Sequence, residues 1–301
     1  MTMSYTVYNE AGGAHKTTTG VNLSEAHSRQ GLNTLYIDGD QQEANGTYLK
    51  HAGDDRDDGD ADNLVRHMLG QPRGDLRDLI QTTDEGFDVL PAHDMIEDFT
   101  ELLLKREDFE TNMGNDDFNR FDHLHRVLWQ ENSLQDDYDV IIVDPNAQAE
   151  NMLVNAIYAT RTIVVPAKPA GKGSKSLKGL SGLLSAMSEE LGIDIGVAAV
   201  ILSGVSNTAT HQRYVDKIDA EYGVAGQIGK RESLMDEMWD ARGSAFKVVE
   251  KGWLDGEPGK RGVRDREIDT LETILDIADD IADQFDVAPP NTPEIKIEGV
   301  A

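Results

Sequence analysis

Short apolar runs alternate along the chain with longer stretches whose apolar positions recur at helical spacing. Ser4–Asn9, Asn33–Ile37, Phe87–Leu90, Asp139–Val143, Thr162–Val165, Gly196–Leu202 and Gly226–Ile228 read as strands. Between them, Thr17–Gln30, Asp94–Arg106, Phe118–Asn132, Ser174–Leu191 and Thr210–Tyr222 read as helices, and Gly31 is placed to end the first in the left-handed conformation. This alternation predicts an α/β fold with a mostly parallel central sheet flanked by helices on both faces. A last helix, Asp265–Phe285, carries Ile268, Leu271, Ile274 and Leu275 on one face and acids on the other. It is expected to pack on the domain and not to lie on an anionic membrane. Beyond Asp286, Pro289, Pro290 and Pro293 point to fraying. The expected organisation is one domain over residues 1–286, a solvated acidic insertion at 54–62 with six aspartates in nine residues, and a flexible tail at 287–301.

Charge changes the picture. Against 28 Lys and Arg stand 56 Asp and Glu, a formal net charge of -28. Such an excess repels polyanions. It also matches proteins of a salt-saturated cytoplasm, where carboxylates keep the surface hydrated and ions screen their repulsion. The recurring apolar runs argue against disorder as the alternative. The chain has no cysteine, which excludes disulfides, thiolate metal sites and cysteine nucleophiles. No basic region followed by an apolar stretch opens it, and no run reaches membrane-span length, so a cytoplasmic location without membrane association is expected.

The candidate chemistry centres on Gly12-Gly13-Ala14-His15-Lys16-Thr17-Thr18, between the first strand and the first helix. Glycines let backbone N–H groups turn toward phosphate oxygens, and the helix start adds partial positive charge. Lys16 can reach β- and γ-phosphates, and the Thr17 hydroxyl can ligate Mg²⁺. A plain Gly-rich turn would look similar, but two later segments support a phosphate site. Leu35-Tyr36-Ile37-Asp38-Gly39-Asp40 and Asp139-Val140-Ile141-Ile142-Val143-Asp144 are both apolar strands that end in acids. In a parallel sheet such ends meet at the edge that carries the phosphate loop. Acids there can hold Mg²⁺ or position an attacking water.

These residues resemble the ParA-type partition ATPases of the ParA/MinD superfamily of P-loop NTPases. Gly12, Gly13, Lys16, Thr17, Thr18, Asn22 and Leu23 match the family's loop and helix; Asp38, Asp40 and Gln42 match its second strand. Val89-Leu90-Pro91-Ala92, Tyr138 to Pro145, Val165-Pro166 and Ala198–Gly204 continue the likeness to about residue 250. The resemblance implies ATP and Mg²⁺ as ligands, with Gly12 to Thr18 binding the nucleotide. Lys16 and Asp40 would be catalytic, Asp40 orienting the attacking water. Thr17, Asp38 and Asp144 would surround the metal. It further implies a homodimer formed on ATP binding, nonspecific DNA binding, and a centromere-binding partner of the ParB kind, or another adaptor, that stimulates slow hydrolysis.

Two departures bear on that last step. The family's signature lysine, which reaches the partner subunit's nucleotide, aligns with Ala11, and the glycine before the loop lysine is His15. Losing a cation at the transferred phosphoryl group costs orders of magnitude in rate. Histidine adopts positive φ more readily than most residues, which favours retained binding. Asn151–Ser188 contains no acid, where about seven would be expected at the chain average. A buried strand and helix with a few solvated lysines would account for much of it. Alternatively Pro166–Lys178 faces an anion: a nucleotide across a dimer, DNA or an acidic partner. One of Lys168, Lys172 or Lys175 would then replace the missing cation. A second basic cluster, Lys260, Arg261, Arg264 and Arg266, reads as a solvated loop balanced by Asp265 and Glu267.

Two functions follow. One is an ATPase that partitions or positions DNA or another large cargo; the other is a nucleotide-dependent switch or scaffold with little hydrolysis. Ala11 favours the second, and Lys16 with the three aspartates favours the first. No pocket for a small-molecule substrate is legible in the sequence.

Overall fold

The computed structural model describes residues 2–9, 15–40, 49, 56–115, 117–146 and 151–297. Strand β1 (Met3–Val7) leads to helix α1 (Lys16–Arg29) and then β2 (Thr34–Gly39). After the short helix α2 (Leu64–Met68) come β3 (Gln81–Thr82), β4 (Asp88–Leu90) and α3 (Phe99–Asn112). Next are β5 (Val140–Pro145), α4 (Asn151–Thr160), β6 (Thr162–Ala167) and α5 (Gly171–Leu191). The chain continues through β7 (Gly196–Val205), α6 (Ala209–Tyr222), β8 (Gly226–Gly229), α7 (Glu232–Ala241), α8 (Ala245–Lys251) and α9 (Asp265–Gln284).

These strands form one sheet in the order β3-β4-β2-β5-β1-β6-β7-β8, parallel throughout except for β3 against β4. Every residue of β1, β2 and β5 is buried, which suits strands covered on both faces. One face packs on α1, α7, α8 and α9 through Val21, Leu23, Ala26, Phe246, Leu271 and Ile274. The other is covered by α2, α3 and α4 near β2 and β5, and by α5 and α6 near β6 and β7. From β1 the chain moves to one side of the sheet, and from β6 to the other. Their carboxyl ends therefore flank a crevice where parallel α/β sheets bind ligands.

Local details depart from the sequence reading. The stretch expected as one helix at Phe118–Asn132 is a short turn of helix at His123–His125 followed by wider turns at Arg126–Glu131. The helix read at Asp94–Arg106 begins instead at Phe99, after a single tight turn at Asp94–Ile96. The described part of the acidic insertion, residues 56–62, is held by bases: Arg56 bonds Asp94 at 2.5 Å, Arg66 donates to the Gly59 carbonyl at 2.6 Å, and His67 lies 3.0 Å from Asp62. Arg261 is buried against Glu267 at 2.6 Å and does not belong to a solvated basic loop. The described part of the segment after Asp286, residues 287–297, makes two backbone contacts with the domain where fraying was expected. The Asn291 N–H donates to the Gln30 carbonyl at 2.9 Å, and the Lys296 N–H donates to Glu250 at 2.9 Å. Among the described residues, no helix is long and apolar enough to cross a membrane.

Candidate active site

Helix α1 starts directly below the carboxyl edge of the sheet, and its first residues meet the ends of β2 and β5. In register, Asp38 of β2 pairs with Asp144 of β5. Asp144 is 1% exposed, yet two neutral hydroxyls converge on its Oδ2: Thr17 Oγ1 donates at 2.7 Å and Tyr36 OH at 2.8 Å. Tyr36 reaches this point because Gly20 leaves its ring room beneath α1; a Cβ at Gly20 would lie 2.8 Å from that ring. Burial, with Asp144 and Asp38 nearby, pushes the Tyr36 hydroxyl well above its usual range, so it remains a donor.

The two hydroxyl bonds and the nearby Lys16 charge do not offset the burial of Asp144. Its carboxyl is pushed up to about 6. Its other oxygen, Oδ1, is buried without a hydrogen-bond partner among the described residues. A buried carboxylate oxygen of that kind fits a cation, or the donors of a ligand that brings one. Asp40, half-buried at the end of β2, turns back: its N–H donates to Asp38 Oδ1 at 3.1 Å, and its own Oδ1 accepts from Asn146 Nδ2 at 3.0 Å. Thr17, Asp38, Asp40 and Asp144 thus come together. Among the described residues no group of three or more His, Cys, Asp or Glu side chains forms a stand-alone metal cage. Magnesium shared with phosphates needs only one or two protein carboxylates.

On the other flank of α1's start, His15 takes φ 61° and ψ 38°, the left-handed region, as the helix's N-cap residue. Its carbonyl accepts the Thr19 N–H at 2.9 Å. Burial, then the charge of Lys168, lowers the His15 imidazole below its ordinary range and keeps it neutral. Gly12, Gly13 and Ala14, and Ala11 and Gln42 with them, lie outside the described residues.

His15 and Thr18 also line a cavity of about 530 Å³, a size typical of small-molecule sites. Its walls come from α1 (Asn22, Leu23), β7 (Ile201, Ser203), β8 (Ile228) and α9 (Ile274, Ile277), with Lys168 at the side. The Ser203 hydroxyl is buried there without a hydrogen-bond partner among the described residues. Sequence reading missed this cavity because its lining is scattered over the chain; only the strand ends Ser203 and Ile228 carried a signal. The three candidate lysines separate. Lys168, after β6, lines the cavity, whereas Lys172 and Lys175 are exposed on α5 and do not. A buried asparagine fastens this region: Asn9 Nδ2 donates to the Pro166 carbonyl at 2.6 Å, and Ser176 Oγ donates to Asn9 Oδ1 at 2.6 Å. Asn22 likewise ties α1 to α8 by accepting the Ala245 N–H at 2.8 Å.

With this geometry in view, comparison with known proteins is informative. A family model described as an AAA domain matches residues 3–191. The chain is similar to the sporulation initiation inhibitor protein Soj of Bacillus subtilis, with 26% identity over 198 residues, 65% of this chain and 70% of that protein. It is also similar to the maintenance of carboxysome distribution protein A of Synechococcus elongatus, with 26% identity over 187 residues, 62% of this chain and 66% of that protein. The matches therefore span about two thirds of each relative's length. Among solved structures, a McdA variant–ATP complex from Cyanothece has a TM-score of 0.68 at 16% identity, covering 95% of this chain and 97% of that one. The septum site-determining protein MinD with Mg-ADP from Pyrococcus horikoshii has a TM-score of 0.65 at 19% identity, covering 95% and 98%. These structural likenesses carry the fold.

Proposed function

We propose, from the premise that this chain belongs to the AAA-domain family and within it to the ParA/MinD P-loop superfamily, that it binds Mg-ATP and hydrolyses it slowly to partition or position a large cargo. The observation that carries the reading is the convergence of Thr17 and Tyr36 on a buried Asp144 at the start of α1, with Asp38 and Asp40 on the same sheet edge. Relatives named for sporulation control and carboxysome distribution support a positioning role.

The residues divide the work. Gly12 to Thr18 hold the phosphates through backbone N–H groups, and Lys16 neutralises β- and γ-phosphate charge. Thr17, Asp38 and Asp144 hold Mg²⁺, which when bound supplies positive charge at the phosphate oxygens. Asp40, held by Asn146, orients the attacking water. The cavity beside His15 takes the nucleoside end. Of the three lysines that can replace the missing signature cation, Lys168 is favoured because it lies near His15 at the start of α1, whereas Lys172 and Lys175 are exposed on α5. Nucleotide-driven homodimerisation, an adaptor or centromere-binding partner, and nonspecific DNA binding belong to the same proposal.

Phosphate release from ATP, with and without DNA and across KCl concentrations, tests it. Turnover is expected, and Lys168→Ala should lower it at least about tenfold with Lys172→Ala and Lys175→Ala close to wild type. Near-zero release under every condition despite ATP binding would eliminate the ATPase in favour of a nucleotide-dependent switch. That second reading is favoured by Ala11 at the signature position.

A further inference from the structure

One polar side chain in the cavity beside His15 has no work within the chain. Along β7, Ala199 and Ile201 belong to the core under α1 and α9, whereas Val200 and Leu202 belong to the core on the opposite face of the sheet. Alternation therefore puts the side chain of Ser203 on the face of Ile201, toward the cavity that both residues line. Ser203 is 5% exposed. Among the described residues that line the cavity, its Oγ is the one fully buried side-chain polar atom without a hydrogen-bond partner. A buried hydroxyl left unpaired is costly, and an apolar residue would fill the position without that cost. Just beyond it, the pairing of β7 with β8 slips between Ser203 and Val205, through Gly204 at φ 72°. Such bulges bend a strand and re-aim its side chains beside a site.

Several groups that could impose a choice of base are already engaged. Asn22 Nδ2 donates to the Thr18 carbonyl at 2.7 Å, and its Oδ1 accepts the Ala245 N–H at 2.8 Å. The Ser206 carbonyl accepts the Thr208 N–H at 2.8 Å, and the Ser206 N–H donates to His211 Nδ1 at 3.2 Å. Glu232 pairs with Lys230 at 2.7 Å, and Asp236 is exposed. An amide or carboxylate held in one orientation presents a fixed pattern of donors and acceptors, which selects one purine. Adenine offers a donor at N6 and an acceptor at N1; guanine offers an acceptor at O6 and a donor at N1. A hydroxyl donates, accepts and rotates, so it pairs with either edge.

We propose, resting on the nucleotide reading above, that Ser203 is the side chain that reads the base and that it admits guanine as readily as adenine. The ligand class is then the purine nucleoside triphosphates with magnesium, ATP among them. The mainly apolar remainder of the wall adds little selection, because an apolar pocket rejects a ligand with one added polar group only weakly.

Calorimetric titration of the full chain with the β,γ-imido analogues of ATP and GTP, each with Mg²⁺, tests it. The two dissociation constants should agree within about tenfold. Ser203→Ala should weaken both by about three- to tenfold, the loss of one hydrogen bond, and Ser203→Thr, which keeps the hydroxyl, should restore both. Circular dichroism should show both variants folded. A preference for either analogue beyond about tenfold, or unchanged affinities in Ser203→Ala, would overturn the proposal and leave the nucleotide reading intact. Binding of neither analogue would overturn both.

Discussion

The two flanks of α1's first turn solve opposite problems. On one side Thr17, Tyr36, Asp38, Asp40 and Asp144 crowd negative charge into a nearly dry edge of the sheet. On the other, His15 and Lys168 stand at the rim of a mainly apolar cavity, and the imidazole is held neutral. The first flank is unfavourable until a cation arrives; the second is roomy and only lightly charged. An asymmetric ligand, anionic and metal-bearing at one end and flat and apolar at the other, satisfies both. Specificity for such a ligand arises from this contrast more than from any single contact.

The comparison breaks most completely at Lys16, the first residue of α1, whose charge lies near Asp144 on the acidic flank. Lys16→Ala should reduce phosphate release by two orders of magnitude or more and weaken nucleotide binding in a fluorescence titration. Retained turnover would remove Lys16 from the proposed machinery.

A smaller effect isolates the acidic flank. The carboxyl of Asp144, ordinarily near 3.8, sits at about 6 in the folded chain. The folded state therefore binds this proton more tightly than the unfolded state. The associated stability is fully present below about pH 4, declines as pH rises toward 6, and stays lost above it. Asp144→Asn keeps an acceptor for Thr17 and Tyr36 but cannot ionise. In chelator at pH 7.5 it should be more stable than wild type, by at most about 3 kcal/mol. The difference should vanish near pH 4, and chemical unfolding across pH measures it. Mg-dependent turnover should fall in the same variant, so a gain in stability with unchanged turnover would place the metal elsewhere.

The smallest effect lies on the other flank. His15→Gly removes a side chain from the left-handed region and should add about 1 kcal/mol of stability, read from thermal unfolding. No gain would mean that contacts of the imidazole with the cavity wall offset the backbone strain.

The two flanks also differed in how far the sequence revealed them. Asp38, Asp40 and Asp144 were legible because each sits at or just beyond the end of an apolar strand, and parallel pairing then brings those ends together. The cavity was not, because its walls are contributed by strands and helices as distant as Leu23 and Ile277. Helix α4 escaped notice because Met152, Leu153, Ala156, Ile157 and Ala159 are buried on several sides, leaving no polar stripe to set a period. Helices α7 and α8 were missed as well, being short. The division of the lysines depended on where α5 begins. Starting at Gly171 and not at Ser174, it carries Lys172 and Lys175 out along an exposed face and leaves Lys168 behind at the cavity.

Helix α1 is held at its far end as well as at its start. Gly31, at φ 84°, turns the chain away after Gln30, and a side chain there would collide with Pro290 and Asn291. The Gln30 carbonyl left open by that turn accepts the N–H of Asn291. A ribosome makes α1 well before Asn291. Domains synthesised in this direction fold as their parts emerge. Helix α1 must therefore wait for the synthesis of Asn291 before this contact at its far end can form.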